Sequence, residues 1–257
     1  MAGRLSQLVD QWRLRKVQDR WAKAADEAPG LEPFALRSLR AEARAMRRQI
    51  DRVIHAADYR LGAPVLGAAL PQMPLGTDWT WRPDAWRGAL PLPGAVAAAG
   101  RTAISDDVAL FHDCPLGEVA LRQIRNHSDA DRAAFGLALD VFGFQGSFLS
   151  LAIEFPSDAI AGLRARHLLR IDALIDNDRP LKAFARLNLK HGPNVAQLVE
   201  GVPPEGRNRL VEFDLAYAGL DEARIEHVWL DLIFNAPAMS RITLHDLVAS
   251  RRPRAEL

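Results

Sequence analysis

The sequence predicts an α+β, mainly β protein: an N-terminal helical hairpin followed by an antiparallel β-sandwich of jelly-roll type. Three observations predict it. Apolar residues recur three and four apart through the first sixty or so positions, interrupted once at Pro29-Gly30. From residue 101 the pattern changes to short apolar runs bounded by Pro, Gly, Asn or Asp. These runs have no helix-length segments between them, so a βαβ fold has no room for its crossover helices and the sheets are antiparallel.

Residues 4–27 read as the first helix, with Leu5, Leu8, Val9 and Trp12 on one face and Leu14, Val17, Trp21 and Ala24 continuing the stripe on a shifted phase. Proline cannot continue a helix and glycine accepts a left-handed turn, so Pro29-Gly30 ends it. A second helix runs from about Pro33 to Tyr59. Leu36, Leu39, Ala43, Met46, Ile50, Val53 and Ala57 form a seam of about three heptads, with Arg37, Arg40, Arg44, Arg47, Arg48 and Arg52 on its other faces. The simplest cover for the seam is the first helix; the competing cover is a second copy of the chain.

Residues 61–100 are rich in Pro, Gly and Ala and read as a linker. The domains expected are therefore a helical arm at 1–60, the linker at 61–100 and the sandwich at 101–257. Half of the six tryptophans fall in one linker segment, where Trp79 and Trp81 alternate as on one face of a strand and Trp86 follows. The strands expected beyond it are 108–112, 118–125, 137–144, 148–155, 168–175, 183–189, 194–199, 210–217, 225–234 and 242–248. Gln145-Gly146-Ser147 reads as a hairpin connection, residues 156–163 as one or two helical turns, and the terminal Ser250–Leu257 as a solvated basic tail.

The formal net charge of +1 does not advertise nucleic-acid binding, but it hides a split. Residues 1–60 carry 13 Lys and Arg against 8 Asp and Glu, and only Lys16 and Lys23 of those bases are lysines. The one cysteine, Cys114, excludes an intrachain disulfide and favours a reducing compartment. The charged first turn is unlike a secretory signal, so the expected location is cytoplasmic. No apolar stretch of about 18 residues predicts a transmembrane helix.

The segments "RLVEFDLAY", "IEHVWLDLIF" and "ITLHDLVASRRP" resemble the last three strands of galactose-binding-like jelly rolls, the fold of many carbohydrate-binding modules, over about residues 101–253. The whole chain, through "WTWRPDAWRG", "FHDCPLGEVALRQIRN", "GSFLSLAIEFP", "RLNLKHGPN" and "SRRPRAEL", also resembles an alphaproteobacterial family of unknown function, which implies no functional residue. The first resemblance implies a sandwich that holds a carbohydrate or similar polar ligand.

Candidate ligand residues are Trp79, Trp81 and Trp86, whose rings could stack sugars, with Arg82 fixing hydroxyls. Against this stands burial, the usual fate of tryptophan. His191 and Asn194 flank the turn His191-Gly192-Pro193-Asn194 and are candidates because binding residues favour loops. Arg13, Arg15, Arg44, Arg47 and Arg48 could contact an anionic partner, a protein or a membrane surface. An arm that is solvated, or docked on the acidic sandwich, is the simpler alternative.

Cys114 beside His112 reads as a buried, inert thiol. The seven histidines make no zinc-type pairing, Asp176-Asn177-Asp178 with Asp246 make no calcium-loop motif, and Gly143-Phe144-Gln145-Gly146 precedes a strand rather than a helix. No cofactor or metal is therefore expected. The leading expectation is a non-catalytic binding protein, with the arm for docking or oligomerisation. The alternatives are a structural adaptor, or an enzyme using carboxylates such as Glu154, Asp172 or Asp214.

Overall fold

The computed structural model describes residues 2–62, 70–91, 93–128 and 130–254. The chain divides into two compact units, Met1–Arg52 and Val53–Leu257. In the first, α1 (Ala2–Glu27) ends in a 3-10 turn over Ala28–Gly30. Helix α2 (Pro33–Gly62) then starts on a proline, whose missing N–H is harmless in the first turn, and runs on past the unit boundary. Arg20 Nη2 reaches Glu42 Oε1 at 2.5 Å and ties the helices into a hairpin. Both groups are more than half exposed, so the tie contributes at most about 1 kcal/mol. Leu39 and Ala43 are half-buried, whereas Leu36, Met46, Ile50 and Val53 stay exposed. Cover of the seam by α1 is thus partial. The side chains of Leu5, Leu8 and Val9 lie outside the described ones, as do residues 63–69 of the expected linker.

The second unit is a sandwich of two antiparallel sheets. Its strands are β1 (Trp79–Trp81), β2 (Gly94–Ala95), β3 (Arg101–Ala103), β4 (Val108–His112), β5 (Val119–Arg125), β6 (Phe135–Val141) and β7 (Leu149–Glu154). There follow β8 (His167–Asn177), β9 (Lys182–His191), β10 (Asn194–Val202), β11 (Asn208–Asp214), β12 (Ile225–Asn235) and β13 (Ser240–Pro253). One sheet runs β11-β8-β13-β6-β5-β2 with β1 added beside β13; the other runs β10-β9-β12-β7-β4-β3. Period-two alternation sends one face of each strand inward. Leu137 and Leu139 of β6, Leu169 and Ile171 of β8, Leu187 and Leu189 of β9, Leu151 and Ile153 of β7, and Leu230 and Leu232 of β12 meet in one continuous core.

Three expectations change. Gln145-Gly146-Ser147 is no hairpin, because β6 and β7 lie in different sheets. Both strands are apolar enough to be central, and the loop between them is held by Asp113. Its carboxylate accepts from the Ser147 amide (2.7 Å), the Ser147 hydroxyl (2.6 Å) and the Phe148 amide (3.2 Å). The linker from residue 79 onward is sandwich: β1 pairs with Ala249–Arg251, β2 pairs with Leu121–Arg122, and Trp86 is fully buried. The basic tail is strand as far as Pro253. Arg251 is buried there, donating to Asp78 Oδ1 at 2.9 Å and to the Ala159 and Ala161 carbonyls at 3.0 Å. Residues 255–257 lie outside the described ones.

Candidate functional site

The tryptophan segment packs against the sandwich core. Trp86 sits on a short helix, α3 (Asp84–Arg87), is wholly buried, and donates its indole N–H to the Leu244 carbonyl at 3.0 Å. Trp79 and Trp81 are half-buried on β1 and close around Phe155, with ring centroids 6.0 and 5.4 Å away. Arg82 is buried and grips Asp246 with two parallel bonds, Nε to Oδ1 at 2.8 Å and Nη2 to Oδ2 at 3.0 Å. A bulge between Leu244 and Asp246 causes this pairing. The extra residue, His245, puts Leu247 in phase with Leu244 and turns Asp246 to the other face of the sheet. Burial pushes the Asp246 carboxyl up, against the pull of Arg82 and Arg132.

His191 and Asn194 do flank a two-residue hairpin turn, but they part there. Asn194 is exposed, while His191 is buried and accepts the Asp221 amide on Nδ1 at 3.3 Å. Arg13, Arg15, Arg44, Arg47 and Arg48 are exposed on the arm, and Arg47 pairs with Asp51 one turn on, at 3.2 Å. Cys114 is buried; backbone amides of Gln145, then Glu118, Leu116 and Gly117, point at its sulfur and hold the thiol below the usual thiol range. Glu154 lies on the six-stranded sheet, and Asp172 and Asp214, on neighbouring strands of the seven-stranded one, stand four residues apart in register, so these carboxylates do not converge.

What the strand registers do assemble is the outer face of the six-stranded sheet. Val228, Leu230 and Leu232 point into the core, so the alternate residues His227, Trp229, Asp231 and Ile233 point out. Following Asp231 across its partners gives one row: Ala103, Ala109, Ala152, Asp231, Arg186 and Val199, one residue from each of six strands. The first three are alanines, so this half of the row is a floor. On one side of it stands Glu154 beside Trp229, then Asn188 and Gln197. On the other stand Phe111, Ser150, Ile233 and Phe184, with Arg101 capping the end strand. Adjacent rows lie roughly 7 Å apart along the strands and six strands span about 24 Å, so the result is a shallow trough crossing the strands between aromatic walls.

Its polar end is rigid. Arg186 donates Nε and Nη2 to Asp231 Oδ2 at 3.0 and 2.8 Å, Asn188 Nδ2 adds a third bond to the same oxygen at 2.9 Å, and Gln197 Nε2 donates to Asn188 Oδ1 at 2.9 Å. None of these donors uses Asp231 Oδ1. At the wall, Glu154 Oε2 lies 2.5 Å from His227 Nε2, and the His227 ring lies against Trp229 with centroids 5.1 Å apart. The alternation in "IEHVWLDLIF" could have shown that Trp229 and Asp231 share a face. The alanine floor could not have been found without the registers.

A second concavity, about 490 Å³, opens on the outer face of the seven-stranded sheet between residues 71–75 and Arg132, Arg170, Asp172 and Asn208. Its charged groups pair with one another: Arg132 Nη2 and Arg170 Nη2 hold Asp172 at 2.8 and 3.1 Å, and Arg132 Nε lies 3.3 Å from Asp246. The carboxylates considered for calcium are likewise engaged. Asp176 takes Arg207 Nε at 3.0 Å, Asp178 accepts the Arg241 amide at 2.9 Å, and Asp246 faces two arginines. Among the described residues no group of three or more His, Cys, Asp or Glu could hold a metal ion.

Fold and site together define a two-sheet jelly-roll sandwich with a basic helical arm and a polar, aromatic-walled trough. By sequence, the chain belongs to a family of unknown function, DUF6478, whose model matches residues 1–257. No curated protein matches it. Among solved structures it is similar to a family 11 carbohydrate-binding module of Clostridium thermocellum in complex with a β-1,3-1,4-mixed-linked tetrasaccharide. That likeness is at 9% identity and TM-score 0.40, over 64% of this chain and 97% of that one. It is also similar to the CBM22-1 xylan-binding domain from Paenibacillus barcinonensis, at 10% identity and TM-score 0.37, over 64% and 98%. The active domain of tailspike protein 4 of bacteriophage CBA120 matches at 5% identity and TM-score 0.40, over 61% of this chain and only 21% of that one.

Proposed function

We propose that the protein is a non-catalytic binding protein whose trough holds a carbohydrate or a similarly hydroxylated polar chain. The observation that carries this reading is the row of three alanines, edged by Phe111 on one side and Glu154 on the other, that runs into Asp231 beside Trp229 and ends on the Asp231–Arg186–Asn188–Gln197 network. A sugar ring offers a flat C–H face and a rim of hydroxyls. The aromatic walls suit the first, and Arg186 and Gln197, held in place by the buried Asp231 and Asn188 behind them, suit the second. Because Arg186 and Asn188 already hold Asp231, little side-chain freedom is lost on binding. The small floor admits a ring where a larger side chain would fill the space.

The test is isothermal titration of the full chain against soluble mixed-linkage β-glucan, xylan and galactan. Binding of at least one is expected, and Trp229→Ala should weaken it about ten-fold, the worth of one stacked ring. Ala109→Leu should block the floor and abolish it. A well-folded wild type that binds none of the three, or binding indifferent to both substitutions, would sink the reading.

A further inference from the structure

The arm carries a surface that the trough does not explain. Along α2 the residues Met46, Ile50, Val53 and Ile54 fall at i, i+4, i+7 and i+8, one helical stripe, and Leu36 extends it toward the N-terminus. All five are exposed, from 40% at Met46 to 70% at Val53. Arg40 and Arg47 border the stripe on one flank, and Arg37, Arg44 and Arg48 stand behind them. The helix holds seven arginines against Glu42, Asp51 and Asp58. Two of those three acids are already engaged, Glu42 by Arg20 and Asp51 by Arg47.

Charge selects what covers this stripe. A second copy would bring a surplus of positive charge against the same surplus, over a seam thinned by Ala43 and Ala57. A surface of anionic headgroups complements it: arginines at the polar–apolar border reach phosphates while the stripe enters the acyl boundary. The geometry points to α2 as a helix that lies flat on an anionic lipid surface, with Met46, Ile50, Val53 and Ile54 toward the acyl chains. Among the described residues no helix is long and apolar enough to cross a membrane, which fits seating on the surface rather than spanning.

The experiment is flotation of the full chain with vesicles of phosphatidylglycerol and phosphatidylcholine, and with phosphatidylcholine alone. The wild type should float with the anionic vesicles only, and less as sodium chloride is raised. Met46→Gln with Ile50→Gln, which keeps good helix formers, should weaken vesicle binding at least about ten-fold. Should that variant lose helical circular dichroism, Arg40→Gln with Arg44→Gln and Arg48→Gln decides instead, by weakening binding and flattening its salt dependence. No flotation of the wild type, flotation untouched by either set, or a lipid-free dimer in sedimentation that the Met46/Ile50 variant dissolves would each overturn the assignment.

Discussion

Removing Arg82 should expose how the segment before β2 is locked to the last strand. Asp246 has no exposed side-chain surface, and Arg82 covers both its oxygens at 2.8 and 3.0 Å. In Arg82→Met the carboxylate stays buried with Arg132 Nε, 3.3 Å away, as its remaining cation. Stranding a buried charge costs about 3–5 kcal/mol, and Arg132 places the expected loss near the lower end, about 3 kcal/mol. For a sandwich of this size that corresponds to a fall of roughly 6–12 °C in Tm, read by scanning calorimetry at neutral pH. The pH dependence follows from the raised Asp246 carboxyl. A folded-state value above the unfolded one means that folding is favoured most where the group is protonated, and that this contribution fades as pH rises through the raised value. Without Arg82 the carboxyl rises further, so the deficit of the variant should narrow as pH is lowered and the carboxyl takes up its proton. Adding Asp246→Leu should restore much of the loss, because neither charge is then buried alone. A variant as stable as wild type at neutral pH, or a deficit that neither acid nor the second substitution relieves, would refute the reasoning.

Two further substitutions test the anchoring of the sandwich. Trp86→Ala should cost about 3–5 kcal/mol in urea unfolding, since it removes a fully buried ring and orphans the Leu244 carbonyl; a loss under about 1 kcal/mol would put Trp86 back on the surface. Asn126 is buried with its amide nitrogen 2.8–3.1 Å from the carbonyls of Ala133, Phe135 and His245, so the isosteric Asn126→Asp turns donors into a charge facing acceptors. A fall of about 3 kcal/mol or more in calorimetry is expected, and a neutral outcome would show that the amide is not the strut it appears in the contacts.

Much of the sandwich was legible in the sequence because it rests on local alternation. Val108–His112 is a short apolar run, Ile225–Asn235 alternates inward Val228, Leu230, Leu232 and Phe234 with outward residues that include His227 and Asp231, and turn residues mark their ends, so both strands stand where the pattern puts them. The His191–Asn194 turn is equally local, since Gly192 takes the positive φ of 58° that it requires. Composition misled where long-range pairing decides. Pro, Gly and Ala around Trp79–Trp86 look like linker, yet β13 supplies a free edge that β1 completes, and the interior supplies a pocket for Trp86. The run from Val141 to Leu149 looks like a hairpin because turn residues say where a chain bends, not which sheet it rejoins.

The sequence by itself therefore determined the class of fold, the positions of most strands along the chain and the basic, amphipathic character of the arm, all of which depend on residue periodicity within a segment. Only the tertiary structure decided that Arg82 and Trp86 are struts and that Ala103, Ala109, Ala152, Asp231 and Arg186 line one trough. The physical reason is register. Those residues are brought side by side by interstrand hydrogen bonds among segments up to 128 positions apart, from Ala103 to Asp231, and a one-residue slip in any strand would turn its member of the row into the core.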